Sequence, residues 1–371
     1  MRYEISGSLQ QNTALDVENL AGRIAEVQYK SGEIPWSRGE KTDPWDHTEG
    51  AMGLSTGGYL AEARQAFEWL AENQLEDGSW YSAYREGRPE DKTRESHMAA
   101  YIAVGLYHYY LISRDERFIR RIWPVAEAAV DFAAGLQAES GEIYWAVSPE
   151  GRPDPMALLT ASASVFLSLK CALALAAVLG FSRPEWQKSL GRLEYAINHC
   201  PHLFNMTKSR YSMDWFYPVL AGALTGNAAK KRIEKYWKKF IISGQGVRCV
   251  SDRPWVTMAE SSEFCLALSA MGNHKQAGII FNWISDKRYD GGDYWCGYTW
   301  PDMTVWPEEA NSWTNAVVLM AADAIYELTP GRRIFSHDYW MKTGIAAGPA
   351  NKLPCRREKI RLSADYYTGL L

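Results

Sequence analysis

Apolar and polar positions follow helical periods along most of the chain, and two kinds of helix alternate. One kind is apolar all round and rich in Ala, Gly, Ser and Leu; these begin near Asp46, Glu95, Pro155, Ser212, Ala259 and Glu308. A helix without a polar face belongs where neighbours cover every side. The other kind carries an apolar stripe and a charged back, over residues 16–28, 60–73, 115–136, 184–199, 228–241 and 275–285. AKKRIEKYWKKF, at 229–240, shows the pattern, and its lysines read as a solvated face.

The pattern repeats. Residues 46–80 align with 259–295, pairing Glu49 with Glu263, Phe67 with Phe281 and Trp69 with Trp283; a looser copy runs from Glu95 to Trp145. Self-similarity of this kind marks a helical repeat architecture. Six inner and six outer helices around one axis predict an all-α (α/α)6 toroid. It is a single domain over 1–371 with a short C-terminal extension from about 335, and 16–28 closes the ring beside the sixth inner helix. No sheet is expected beyond a hairpin strand at VRCV, 247–250. Turns from inner to outer helix are short and the return connections long, so the long ones share one face, where function usually lies.

Composition narrows the chemistry. The 371 residues are 47% hydrophobic and 23% charged, with a net charge of −4, which gives no field for nucleic acid or an anionic membrane. The apolar stretch 156–181 is interrupted by Thr160, Ser162, Ser164, Ser168 and Lys170, and reads as a buried helix rather than a membrane span. The first residues lack a basic and apolar signal segment, and the six cysteines are scattered without a CxxC. A cytoplasmic protein with six free thiols, no required metal and no cofactor is expected. Its partner is a small-molecule or oligosaccharide substrate, and the oligomeric state is left open.

Sixteen Trp and 21 Tyr exceed what a core needs. Most Trp fall on the long-connection face, with Trp45, Trp80, Trp145, Trp255, Trp295 and Trp306 expected on one rim. Flat aromatic faces suit stacking on sugar rings or shielding a carbocation. Trp36, Trp45, His47, His97, Asp214, Trp215, Trp255, Trp295, Tyr298, Trp300 and Trp306 are the candidate substrate-binding residues. Acids open the inner helices: Asp46 and Glu49, Glu95, Asp214, Glu260 and Glu263, Glu308 and Glu309. Asp46 and Glu49 have the spacing of a capping box. Acids converging on a cavity instead raise one another's pKa and suit a general acid and base. Asp46, Glu49, Glu260, Glu263, Glu308 and Glu309 are the candidate catalytic set. One acid from the fifth helix faces one from the sixth or first, about 6.5–9.5 Å away, the spacing of inverting hydrolysis.

Two resemblances follow from these segments. QLEDGSWYSAY, at 74–84, resembles the QW-type repeat of terpenoid cyclases and protein prenyltransferases, which implies an isoprenoid in the toroid. VWPEEANSWTNAVVLMAADAI, at 305–325, is similar to the last inner helix of glucoamylase-like enzymes, and the whole chain resembles the six-hairpin glycosidases. That resemblance implies a glycoside hydrolase, which the expected compartment and carboxylate spacing make intracellular and inverting. The cyclase motifs DxDD and DDxxD are absent, and of a prenyltransferase zinc set only Asp293 and Cys296 are available. A non-catalytic toroid binding a glycan or peptide is the third reading.

Overall fold

Residues 15–345 are described by the computed structural model. The helices in chain order are α1 (Val17–Val27), α2 (Pro44–Thr56), α3 (Leu60–Asn73), α4 (Ser96–Ala100), α5 (Ile102–Ser113), α6 (Glu116–Gly135) and α7 (Leu159–Leu179). They continue with α8 (Pro184–His199), α9 (Ser212–Leu220), α10 (Gly226–Phe240), α11 (Met258–Ala270), α12 (His274–Ile284), α13 (Ser312–Tyr326) and α14 (His337–Thr343). Helices α2, α5, α7, α9, α11 and α13 pack in that order, and α13 returns to α2. The second inner position is shared by α4 and α5, which meet at Tyr101. Outside the ring stand α3, α6, α8, α10 and α12, and α1 closes it against α13 and α2. This is the expected (α/α)6 toroid.

Small residues let the inner helices approach. A Cβ on Gly53 of α2 would lie 2.7 Å from the Ala316 Cα of α13, and one on Gly105 would meet Thr48 at 2.5 Å. Over Leu159–Leu179 the apolar stretch is long enough to cross a membrane, but 83% of its most apolar window is buried inside the protein. Its Lys170 is buried too, donating to the Ala221 carbonyl at 3.1 Å with its ammonium 4.5 Å from the Trp340 ring. Trp340 belongs to α14, whose Tyr339 hydroxyl lies 2.5 Å from the Tyr107 hydroxyl of α5.

The QW-like repeat has a structural explanation. Gln28, Gln74 and Gln137 each end an outer helix and are each followed, four residues on, by a positive-φ glycine. Each carboxamide donates to that glycine's carbonyl and to a carbonyl of the next outer helix: Glu62, Val125 and Ser189 in turn. Trp80 then donates its indole N–H to Leu70 and plugs the gap between helices. The repeat clamps neighbouring hairpins and says nothing about an isoprenoid.

Two expectations are corrected. The long connections form three small antiparallel sheets. One joins Lys41–Thr42, Ala83–Arg85 and Arg88–Asp91; another joins Arg94–Glu95, Ala146–Val147 and Pro153–Asp154. The third joins Ile241–Ile242, Gly246–Arg248, Trp255–Thr257 and Gly297–Thr299. Strands of two to four residues are too short to show a period of two in sequence. Second, Cys171, Cys249, Cys265 and Cys296 are free thiols, but Cys200 is disulfide-bonded, and Cys355 lies outside the described residues.

Candidate active site

The N-terminal ends of the inner helices and the long connections share the face that forms the mouth of the ring. At α2 the cap is Asp43, whose Oδ1 accepts the Asp46 amide at 2.9 Å, with Pro44 supplying a preset φ at the first helical position. The other oxygen of Asp43 accepts the Trp36 indole N–H at 2.9 Å. Asp46 and Glu49 are therefore not the cap, and their carboxyl groups are free for other work.

The acids stand in two tiers. Asp46 and Glu260 are each the third residue of their helices, α2 and α11, and both are half-buried. Glu49 and Glu263 are the sixth residues, buried about 4.5 Å further along the helices. In the upper tier, burial holds the Asp46 carboxyl well above its ordinary range, helped by the charges of Asp43 and Glu49 and a hydrogen bond to Asp43. The Cys296 thiol is pushed up to about 12 by burial, then by Glu260 and Glu309, with Asp46 contributing as well. Asp46 and Glu260 thus both act on one thiol. Glu95, at the start of α4, is raised to about 7 by burial, with Lys41 and the Ser82 hydroxyl pulling the other way. Beside it His97 is lowered to about 3 by burial and stays neutral.

In the lower tier, one oxygen of Glu49 accepts the Trp45 indole N–H at 2.8 Å and the Tyr101 hydroxyl at 3.3 Å. Burial outweighs both bonds and raises Glu49 to about 8. Glu263 is likewise held well above the ordinary carboxylate range, by burial first and then by the charges of Glu49 and Glu260. Trp45 stacks on Tyr101, with centroids 4.7 Å apart and planes 20° apart, and meets His97 and Tyr217 edge-on. Glu49 of α2 and Glu263 of α11 thus act on each other across the ring, beside an aromatic wall.

The structure gathers Trp36, Trp45, Asp46, Glu49, His97, Glu260 and Glu263 around this mouth. Other candidates lie elsewhere. His47 is turned into the wall: Nδ1 accepts the Ile34 N–H at 3.0 Å, and Nε2–H donates to the Ala66 carbonyl at 2.9 Å. Trp215 is fully buried between Phe240 and Phe264, with its N–H on the Arg232 carbonyl, and Tyr298 is buried with its hydroxyl on Gln245. Those three expected sugar contacts are corrected. Asp214 accepts the Thr160 hydroxyl at 2.7 Å and faces a side cavity of about 120 Å³. Trp255 donates to the Trp306 carbonyl at 2.8 Å; the Trp306 ring is 59% exposed, while Trp295 and Trp300 are half-buried. Helix α13 begins at Ser312, so exposed Glu308 and half-buried Glu309 lie on its approach, not in its first turn.

Sequence reasoning passed over Lys41, Asp43, Tyr101, Tyr217, Asn311 and the thiol of Cys249, and weighed Cys296 only as a zinc ligand. Only Asp43 carried a local signal, an Asp before a Pro at a helix start. No cluster of three or more metal-ligating side chains occurs among the described residues. Asp293 is held by Arg23 at 2.8 Å and by the Asn315 carboxamide at 2.8 Å.

No family model matches the chain. A search of solved structures finds the GH63 mannosylglycerate hydrolase of Thermus thermophilus, at 12% identity and a TM-score of 0.64, covering 82% of this chain and 99% of the other. A D-mannose isomerase matches at 11% identity and a TM-score of 0.63, covering 86% and 99%. Both likenesses are of fold alone, which hosts hydrolysis and isomerisation alike. A curated relative decides the class: the chain is a glycoside hydrolase. That relative is the MMP endo-(1,4)-3-O-methyl-α-D-mannosidase of Mycolicibacterium hassiacum, 47% identical over 315 residues, covering 85% of this chain and 87% of the relative. The chain belongs to its family. The terpenoid and prenyltransferase readings fall away.

Proposed function

We propose that this hydrolase cleaves internal α-(1,4) bonds between 3-O-methylated mannose units, with Asp46 as general acid and Glu260 as general base. The observation that carries the assignment is the two-tier arrangement of acids. A catalytic carboxyl has to reach the glycosidic bond, and half-buried Asp46 and Glu260 stand at the mouth end of their helices, whereas Glu49 and Glu263 lie about 4.5 Å deeper. Burial and the Asp43 carboxylate raise the Asp46 pKa well above the usual carboxylate range, the direction that suits an acid that must protonate a leaving oxygen.

Helix α13 stands between α2 and α11 in the ring. Neighbouring helix axes lie about 8–10 Å apart, so acids on next-but-one helices leave room for a water. That favours inversion over a covalent glycosyl intermediate. Asp46 gives its proton to the departing oxygen while the water attacks the anomeric carbon from the opposite face and Glu260 takes the water's proton. Trp36 and the exposed Trp306 ring are placed to stack on sugar faces at the entrance. The choice of substrate rests on the relative's activity.

The test is hydrolysis of α-(1,4)-linked 3-O-methylmannose oligosaccharides, with product sizes measured and the first-formed anomer read by proton NMR. Internal cleavage with a β-configured product is expected. Asp46→Asn and Glu260→Gln should each lose about 10²–10⁴ in kcat, while Glu308→Gln stays near wild type. An α-configured first product, or isomerisation of free mannose without cleavage, would overturn the assignment.

A further inference from the structure

Asn311 occupies the cap position of α13, yet its side chain makes no capping bond. The corresponding position of α2 is filled by Asp43, which does cap. Asn311 is only 1% exposed, and neither Nδ2 nor Oδ1 has a hydrogen-bond partner of sound geometry among the described residues. Its polar neighbour is the Cys296 thiol, the same thiol on which Asp46 and Glu260 act. Sulfur is a weak partner for a carboxamide. A buried amide with both ends unpaired is costly and rare, and it lies at the mouth, between the helices that carry the acid and base.

We propose that Asn311 is a substrate-positioning residue whose carboxamide binds a hydroxyl group at the point of cleavage, either a ring hydroxyl of the sugar or the attacking water. The inference rests on the Asp46 and Glu260 assignment. Asn311 gives to and accepts from that hydroxyl, so the bond is made only in the occupied site. In the empty protein the amide is a burden, because an apolar group of the same shape would leave no unpaired atoms behind.

The experiment is Asn311→Leu, with Asn311→Ala alongside in case leucine packs badly. Melting temperature, kcat and KM are measured on the 3-O-methylmannose oligosaccharides and on analogues lacking single hydroxyls. The Leu variant should melt no lower than wild type while losing about tenfold to a hundredfold in kcat/KM. If the partner is a sugar hydroxyl, one deoxy analogue is cleaved equally by wild type and variant. If it is the water, kcat falls with KM unchanged and every analogue suffers alike. A lowered melting temperature with unchanged kcat/KM in both variants would overturn the inference. Wild-type protein that cleaves none of these oligosaccharides would sink the functional assignment instead.

Discussion

Replacing Glu49 by Gln separates a buried, proton-holding carboxyl from a helix cap. Glu49 is 3% exposed, and burial lifts its pKa from 4.5 to about 8 despite the Trp45 and Tyr101 donors. The folded protein therefore keeps a proton that the unfolded chain releases above pH 4.5. Stability falls wherever the native state holds more protons, so this group costs stability as pH rises from about 4.5 to 8. That gap, at about 1.4 kcal/mol per pH unit, amounts to roughly 5 kcal/mol at its ceiling. Gln is isosteric and neutral, and its oxygen still accepts the Trp45 N–H. Glu49→Gln should thus be the more stable protein at pH 8, by about 2–5 kcal/mol, and close to wild type at pH 4.5. The assay is denaturant unfolding of both proteins at pH 4.5, 6.5 and 8. The buried histidines act equally on both and cancel in the difference, which contains Glu49 together with its charge on Glu263. A Gln variant that is less stable at every pH, by about the 1 kcal/mol of a lost cap, would refute the reasoning.

Three further outcomes are expected. His108 is fully buried with neither ring nitrogen partnered among the described residues, and burial lowers its pKa to about 3. Because the unfolded ring binds a proton from about pH 6.5 downward, stability drains away on acidification. His108→Met should lower the pH of half-unfolding and add about 1–2 kcal/mol at pH 7 in urea titrations. Gly78 and Gly39 share a φ of +87°, but a Cβ on Gly78 would lie 2.3 Å from the Ala128 carbonyl oxygen, whereas Gly39 has open space. Gly78→Ala should lower the melting temperature far more than Gly39→Ala, by about 2 kcal/mol or more in stability; equal shifts would show that backbone conformation alone decides. Trp45→Phe keeps the stack on Tyr101 but removes the N–H that offsets burial at Glu49. Its stability should decline more steeply than wild type between pH 6.5 and 8, in the same unfolding assay.

The ring was legible in the chain because each hairpin repeats the same contrast, an apolar inner helix and a striped outer one. The starts of α2, α9 and α11 and the bounds of α3 and α8 follow from that contrast alone, as does closure by α1. The alignment of Glu49 with Glu263 likewise put acids at equivalent positions of two inner helices. What the sequence leaves open is direction. An inner helix is apolar on all sides, so nothing in its pattern tells the axis from the wall. Trp45 faces the axis and His47 the outer layer, although only two positions separate them.

Depth is equally a tertiary property. Asp43, Asp46 and Glu49 are three acids at one spacing, and their different neighbours make the first a cap, the second a half-buried acid and the third a buried, protonated one. Amino-acid order sets which side chains each helix carries and how long it runs, because those depend on local periodicity and caps. The charge state and reach of a carboxyl depend on the water, charges and donors around it, which come from helices more than two hundred residues away in the chain.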